Sequence, residues 1–150
     1  GLKVLDLFAG TGNISYEFAS RGCDNVISVD GDFGCVKFIK QTANEFDFTI
    51  TAIKSDVMAF LQKNSSSYDI IFADPPYAFD QETFEKIVKT VFERELLEED
   101  GMMIIEHSKY TKMTHLDNFS FQKGYGGSFF SFFELNQNEE EVDGFEEEEG

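Results

Sequence analysis

Apolar and polar positions recur with different periods along this chain, and each change of period marks a new element. Lys3 to Phe8 is a short apolar run ending in Ala9-Gly10-Thr11-Gly12, as expected of a buried parallel strand that enters a tight turn. From about Asn13 to Arg21 the period becomes helical. Ile14 and Phe18 share one face, and Gly22 stands where a helix-terminating glycine belongs. Val26 to Val29 is a second strand, closed by Asp30-Gly31-Asp32. Phe33 to about Glu45 predicts a second helix with Val36, Ile39 and Ala43 on one stripe, Asp32 being its candidate N-cap. Phe48 to Ile53 is the third strand, and Asp56 can cap a short helix carrying Val57, Phe60 and Leu61. After the loop Asn64-Ser65-Ser66-Ser67 comes a fourth strand, Tyr68 to Ala73. Asp80 caps the clearest helix, in which Phe84, Ile87, Val88, Val91 and Phe92 fall on one stripe. Glu99-Asp100-Gly101 predicts a turn into the fifth strand, Met102 to Glu106. Phe119 to Lys123 and Ser128 to Leu135 predict a hairpin around Gly124-Tyr125-Gly126-Gly127.

Strands that alternate with helices imply a parallel sheet joined by right-handed crossovers. The expected fold is α/β and Rossmann-like: a mostly parallel seven-stranded sheet, helices on both faces, and a C-terminal antiparallel hairpin. Phe129, Phe130, Phe132 and Phe133 are expected to face helices across that sheet.

Composition adds boundaries. One domain, residues 1–135, accounts for most of the 150 residues. Residues 136–150 read as an acidic, low-complexity tail, with eight acidic and no basic residues from Glu139 to Gly150. Of the formal charge of −17, removal of those eight leaves 21 acidic against 12 basic residues. That balance is awkward for a protein that grips phosphates. The chain opens at Gly1-Leu2-Lys3 without Met and is inside a strand by Val4, so an upstream segment is expected. Cys23 and Cys35 have no metal-site spacing and read as reduced thiols of a cytoplasmic protein. Neither a membrane span nor a metal site is expected. His107 and His115 read as surface or strand-end residues rather than ligands.

The candidate chemistry lies beyond the carboxyl ends of the strands, where open α/β sheets bind ligands. Asp6, Asp30, Asp56 and Asp74 stand at or near successive strand ends. In Asp6-Leu7-Phe8-Ala9-Gly10-Thr11-Gly12, Gly10 and Gly12 let a ligand approach the backbone closely. The plainer reading is a tight βα turn. Ser15 occupies the third glycine position of a dinucleotide fingerprint, which weakens a nicotinamide reading. A carboxylate at Asp6 suits a cationic amino group and would repel a pyrophosphate. Asp30, about 20 residues past the glycines, is placed to accept from ribose hydroxyls, or else is only a turn aspartate. Asp56 can accept an adenine amino group, cap its helix, or do both.

Asp74-Pro75-Pro76-Tyr77 is the sharpest feature. Two prolines fix φ near −65° and offer no N–H donors, so the carbonyls of this segment are held rigidly as acceptors. A carboxylate and a fixed carbonyl match the two N–H bonds of an exocyclic amine. Tyr77 offers a stacking face for an extruded base. The plainer reading is a proline-rich turn between strand and helix. Glu106 ends the fifth strand and could touch the site, but it is not among the candidate site residues.

Together, Val4-Leu5-Asp6-Leu7-Phe8-Ala9-Gly10-Thr11-Gly12, Glu17-Phe18-Ala19-Ser20-Arg21-Gly22, Asp74-Pro75-Pro76-Tyr77 and Tyr125-Gly126 resemble class I methyltransferases with a D-P-P-Y motif. Within that class the chain is similar to the small-subunit ribosomal RNA guanine-N2 methyltransferases of the RsmD type, from Leu2 to about Leu135. The resemblance implies a cytoplasmic, monomeric enzyme that uses S-adenosylmethionine and releases S-adenosylhomocysteine. Its implied partner is ribosomal RNA or a partly assembled small subunit. It implies cofactor contacts from Asp6, Phe8, Ala9, Gly10, Thr11, Gly12, Asn13, Asp30, Gly31, Asp56 and Val57. Asp74, Pro75, Pro76 and Tyr77 would hold the target amine. The family also implies a basic N-terminal extension that this sequence lacks. Rival readings are an adenine-N6 methyltransferase, a small-molecule or protein-amide methyltransferase, and a non-catalytic S-adenosylmethionine-binding module in ribosome assembly.

Overall fold

The computed structural model describes residues 1–135, and the anticipated tail, 136–150, lies outside the described residues. The elements are β1 (Val4–Leu7), α1 (Asn13–Ser20), β2 (Val26–Asp30), α2 (Phe33–Phe46), β3 (Ile50–Lys54), α3 (Val57–Lys63), β4 (Tyr68–Ala73), α4 (Gln81–Glu93), β5 (Leu97–Ser108), β6 (Phe119–Tyr125) and β7 (Ser128–Phe133). They build a seven-stranded sheet in the order β3-β2-β1-β4-β5-β7-β6. β1 to β5 pair in parallel, and β7 runs antiparallel to both β5 and β6. The strand order reverses between β1 and β4, which opens a crevice beyond their carboxyl ends.

Capping sets where the helices begin and stop. The carboxylates of Asp32, Asp56 and Asp80 accept from the N–H groups of Cys35, Ala59 and Thr83 at 2.9, 3.0 and 2.9 Å. Helix α1 differs: Gly12 is its N-cap, with φ 95° and no capping side chain. Its C-terminus closes on Gly22 at φ 99°, with Gly22 N–H bonded to Ala19 O and Cys23 N–H to Phe18 O.

Strand alternation sends Leu5, Leu7, Ile71, Met103, Ile105 and Phe133 to one face of the sheet. There they bury against Leu61 of α3 and against Phe84, Ile87 and Val91 of α4. On the opposite face Val36 and Ile39 of α2 cover Ala52. Among the described residues no helix is long and apolar enough to cross a membrane.

Three expectations change. β5 begins at Leu97 rather than Met102, so Glu99-Asp100-Gly101 lies within a strand and not in a turn. Leu97 pairs with Tyr68, and a register shift between Tyr68 and Ile70 absorbs the irregularity. Gly101 makes this possible, because a Cβ there would stand 2.9–3.0 Å from three backbone carbonyl oxygens. The hairpin turn is tighter than expected, two residues between Tyr125 and Ser128, with Gly126 at φ 56°. The four phenylalanines do not all face helices. Phe133 packs against Phe92 of α4, but Phe132 stacks on Phe121 with centroids 4.2 Å apart, and Phe130 contacts Phe72 and Tyr125. Alternate residues of a strand point to opposite faces, so one stretch of sequence supplies both.

Candidate active site

The chain leaves β1 through a strained turn. Phe8 adopts φ 58°, a left-handed conformation uncommon for a bulky side chain, and its ring meets Phe79 edge-on at 5.7 Å. Gly10 also has positive φ, and a Cβ there would meet nothing within 4 Å. At Gly12 a Cβ would run into the Tyr16 ring at 2.7 Å and Ile39 at 3.0 Å. Gly12 is thus required by packing, whereas the space over Gly10 is open. The buried Tyr16 hydroxyl beside this turn has no hydrogen-bond partner among the described residues.

Asp30 ties the neighbouring loops together. One carboxylate oxygen accepts from Gly10 N–H at 2.8 Å, and the other accepts from Asp32 N–H at 2.8 Å. Its backbone carbonyl receives Ser55 N–H at 3.0 Å, which draws in the exit of β3. Each carboxylate oxygen has a further lone pair for a ligand. Asp56 spends one oxygen on its cap, and the other has no side-chain or backbone donor among the described residues.

Asp6 lies deeper, only 1% exposed. It accepts from Ser15 Oγ at 2.7 Å, and that hydroxyl is 2.6 Å from Ser28 Oγ. Burial pushes the Asp6 carboxyl up to about 6; the Ser15 hydrogen bonds offset this in part, and the charges of Asp74 and Asp30 add to it.

Asp74 follows β4 directly, its N–H directed at Leu7 O at 3.4 Å. The residue reaches solvent, but its carboxyl is crowded enough that desolvation, with help from the Glu106 charge, raises its pKa to about 6. Glu106 is there because Ala73 pairs with Ile105, so the next residue on each strand faces the same mouth. Pro76 O accepts from Phe79 N–H at 3.1 Å, so that carbonyl, one of the rigid acceptors anticipated here, has a partner within the chain. Tyr77 is 68% exposed, and its hydroxyl lies 3.2 Å from Ser128 Oγ of β7.

Two clefts meet at this point. The first, about 360 Å³, is lined by Phe8, Asp30, Gly31, Asp56, Val57, Asp74 and Pro76. The second, about 280 Å³, is lined by Asp74, Pro75, Pro76, Tyr77 and Glu106. They share Asp74 and Pro76. Of the anticipated residues, Ala9, Gly10, Thr11, Gly12 and Asn13 form the adjoining turn without lining either cleft, and Asp6 lies beneath it. Glu106, considered from the sequence but left out of the candidates, and Ser128, not considered at all, are the additional residues here. Their signal is strand order, which places β5 beside β4 and β7 beside β5.

The lining of the first cleft could hold an adenosine-bearing ligand, with carboxylates for hydroxyl and amino groups and the apolar sides of Phe8 and Val57 for a flat ring. Over residues 1–134 the chain matches the family described as Conserved hypothetical protein 95. It belongs to that family. Bacillus subtilis (strain 168) YlbH, named as a candidate rRNA methyltransferase, is 31% identical over 118 residues, covering 75% of this chain and 63% of the relative. The tRNA1(Val) (adenine(37)-N6)-methyltransferase of Haemophilus influenzae (strain PittGG) is 31% identical over 120 residues, covering 77% and 44%. The Ribosomal RNA small subunit methyltransferase D of Buchnera aphidicola subsp. Baizongia pistaciae is 31% identical over 74 residues, covering 49% and 38%. The chain therefore spans less than two thirds of the length of these relatives. The crystal structure of HI0767 from Haemophilus influenzae, named as a candidate methylase, superposes with TM-score 0.77 at 22% identity, covering 88% of this chain and 85% of that one. The fold of this family member is the Rossmann-like fold of methyltransferases.

Proposed function

We propose that this family member transfers a methyl group from S-adenosylmethionine to the exocyclic N2 amine of a guanine in small-subunit (16S) ribosomal RNA. The observation that carries the reading is the junction of the two clefts at Asp74: a donor cleft and an acceptor cleft share one carboxylate and one rigid proline segment.

In the first cleft Asp30 accepts from ribose hydroxyls, the free oxygen of Asp56 accepts from the adenine amino group, and Phe8, Gly31 and Val57 flank the ring. Ala9 to Asn13 line the approach to the methionine end, and Asp6 adds negative charge beneath it. When bound, the cofactor supplies an electrophilic methyl group on a sulfonium. The other duties fall to the chain. Tyr77 stacks on the extruded base, a contact worth about 1–3 kcal/mol, and its hydroxyl is steadied by Ser128. The Asp74 carboxylate and a backbone carbonyl of Asp74-Pro75 accept the two amine N–H bonds and point the nitrogen lone pair toward the first cleft. Holding the nitrogen in line is mainly a proximity effect. As the new C–N bond forms, positive charge grows on nitrogen. The Asp74 carboxylate offsets that charge and, with a pKa near 6, can take the departing proton.

The test uses the full-length protein with labelled cofactor and small subunits from cells lacking the gene. Asp74→Ala is expected to abolish transfer and leave sinefungin affinity within about threefold, since its main contact is with the acceptor. Collapse of sinefungin affinity would show that the division between the clefts is mistaken. The relative named for adenine-N6 methylation of tRNA favours a second reading, the same chemistry on an adenine. Mass analysis of the nucleosides, N2-methylguanosine against N6-methyladenosine, separates the two.

A further inference from the structure

Charge is distributed unevenly along the chain. Gly1 to Glu106 carries nine basic and nineteen acidic residues, whereas His107 to Phe133 carries three lysines and one aspartate. The segment that reverses the sign follows directly after Glu106 of the acceptor cleft. It contains a further cleft of about 410 Å³, whose walls include Lys109, Tyr110, Lys112, Gln122 and Phe129. Tyr110 is 78% exposed, and Lys109 Nζ sits 5.3 Å from its ring centre.

A chain of contacts connects this cleft to the acceptor cleft, although the two share no lining residue. Tyr110 N–H donates to Ser108 Oγ at 3.2 Å, Ser108 pairs with Ser128 across β5 and β7, and Ser128 Oγ is 3.2 Å from the Tyr77 hydroxyl. Two exposed tyrosines are therefore linked through two serines at the same end of the sheet. The loop is also held in place. Gln81, at the start of α4, accepts from Lys112 N–H at 2.9 Å and donates to Lys112 O at 2.6 Å, and Met113 is fully buried. A surface fixed in this way avoids much of the ordering cost of binding.

We propose that this cleft docks the RNA strand flanking the methylated base, with Tyr110 stacking on a neighbouring base and Lys109 and Lys112 meeting phosphates; the proposal presupposes the RNA-methylation reading above. Exposed aromatics beside cations are what single-stranded nucleic acid requires. Among the described residues, this segment has more basic than acidic side chains, the balance that a polyanion requires.

The experiment compares full-length protein carrying Lys109→Glu with Lys112→Glu, and separately Tyr110→Ala, with a Lys63→Glu/Lys86→Glu control of equal charge change. Methyl transfer is followed on small subunits from cells lacking the gene, binding on protein-free small-subunit RNA, and cofactor-site integrity by sinefungin calorimetry. The paired lysine variant is expected to raise KM about tenfold or more, with kcat and sinefungin affinity nearly unchanged. Its plot of log affinity against log salt should be shallower by about 1.4, from two phosphate contacts at roughly 0.7 each. Tyr110→Ala should raise KM about tenfold without changing the salt slope. Unchanged KM and slope, or equal changes in the control, overturn the docking surface while leaving the methylation reading intact. A higher KM on subunits with unchanged affinity for protein-free RNA would assign the cleft to a protein contact and also overturn it. No transfer by the unsubstituted protein to any RNA overturns the methylation reading and this surface with it.

Discussion

Asp6→Asn isolates the consequence of burying a carboxylate under α1. The folded chain raises the Asp6 pKa from 3.8 to about 6, chiefly by burial. The folded state therefore binds this proton more tightly than the unfolded state does. Stability from this group is fully present below about pH 4, falls as pH rises toward about 6, and stays low above that. A shift of roughly two pKa units corresponds to about 3 kcal/mol lost across that window. Asparagine keeps an oxygen to accept the Ser15 hydroxyl now 2.7 Å from the carboxylate, and it has no charge to lose. Relative to the parent, Asp6→Asn should thus gain about 3 kcal/mol between pH 4 and pH 8, or roughly 10 °C in Tm for a domain of this size. Thermal unfolding of both proteins across that range reads the effect. The difference between them is the quantity of interest, because packing changes from the new amide act equally at both pH values. Asp74→Asn, run in parallel, reports the share of the second raised carboxylate. A parent-to-variant Tm difference that is the same at pH 4 and pH 8 would refute the reasoning.

Three further outcomes follow from the geometry. If ionised Asp74 accepts the amine, single-turnover methyl transfer should rise about tenfold per pH unit below about 6 and level off above it. Glu106→Gln should move that limb to lower pH, because the Glu106 charge helps to raise the Asp74 pKa; a limb that stays in place would contradict this. Gly101→Ala should cost about 1–3 kcal/mol in chemical denaturation, since its Cβ would press on the carbonyls of Tyr68, Asp69 and Glu98. An unchanged denaturation midpoint would show that β5 can shift to make room.

Local physics made much of this protein legible from its sequence. Asp32, Asp56 and Asp80 cap their helices, and Gly22 ends α1, because the groups they satisfy lie within a few residues. The apolar stripe of α4 and the apolar runs of β1, β2 and β4 carry their own periods. The glycine turn and Asp74-Pro75-Pro76-Tyr77 are likewise short-range statements about backbone freedom. What only the tertiary structure decided is which strands are neighbours and in what register. That pairing places Glu106 beside Asp74, seats Ser128 under the Tyr77 hydroxyl, and extends β5 back to Leu97. Each of these depends on contacts between residues distant along the chain, and a strand's own pattern records that it has an apolar face without naming the strand or helix that meets it.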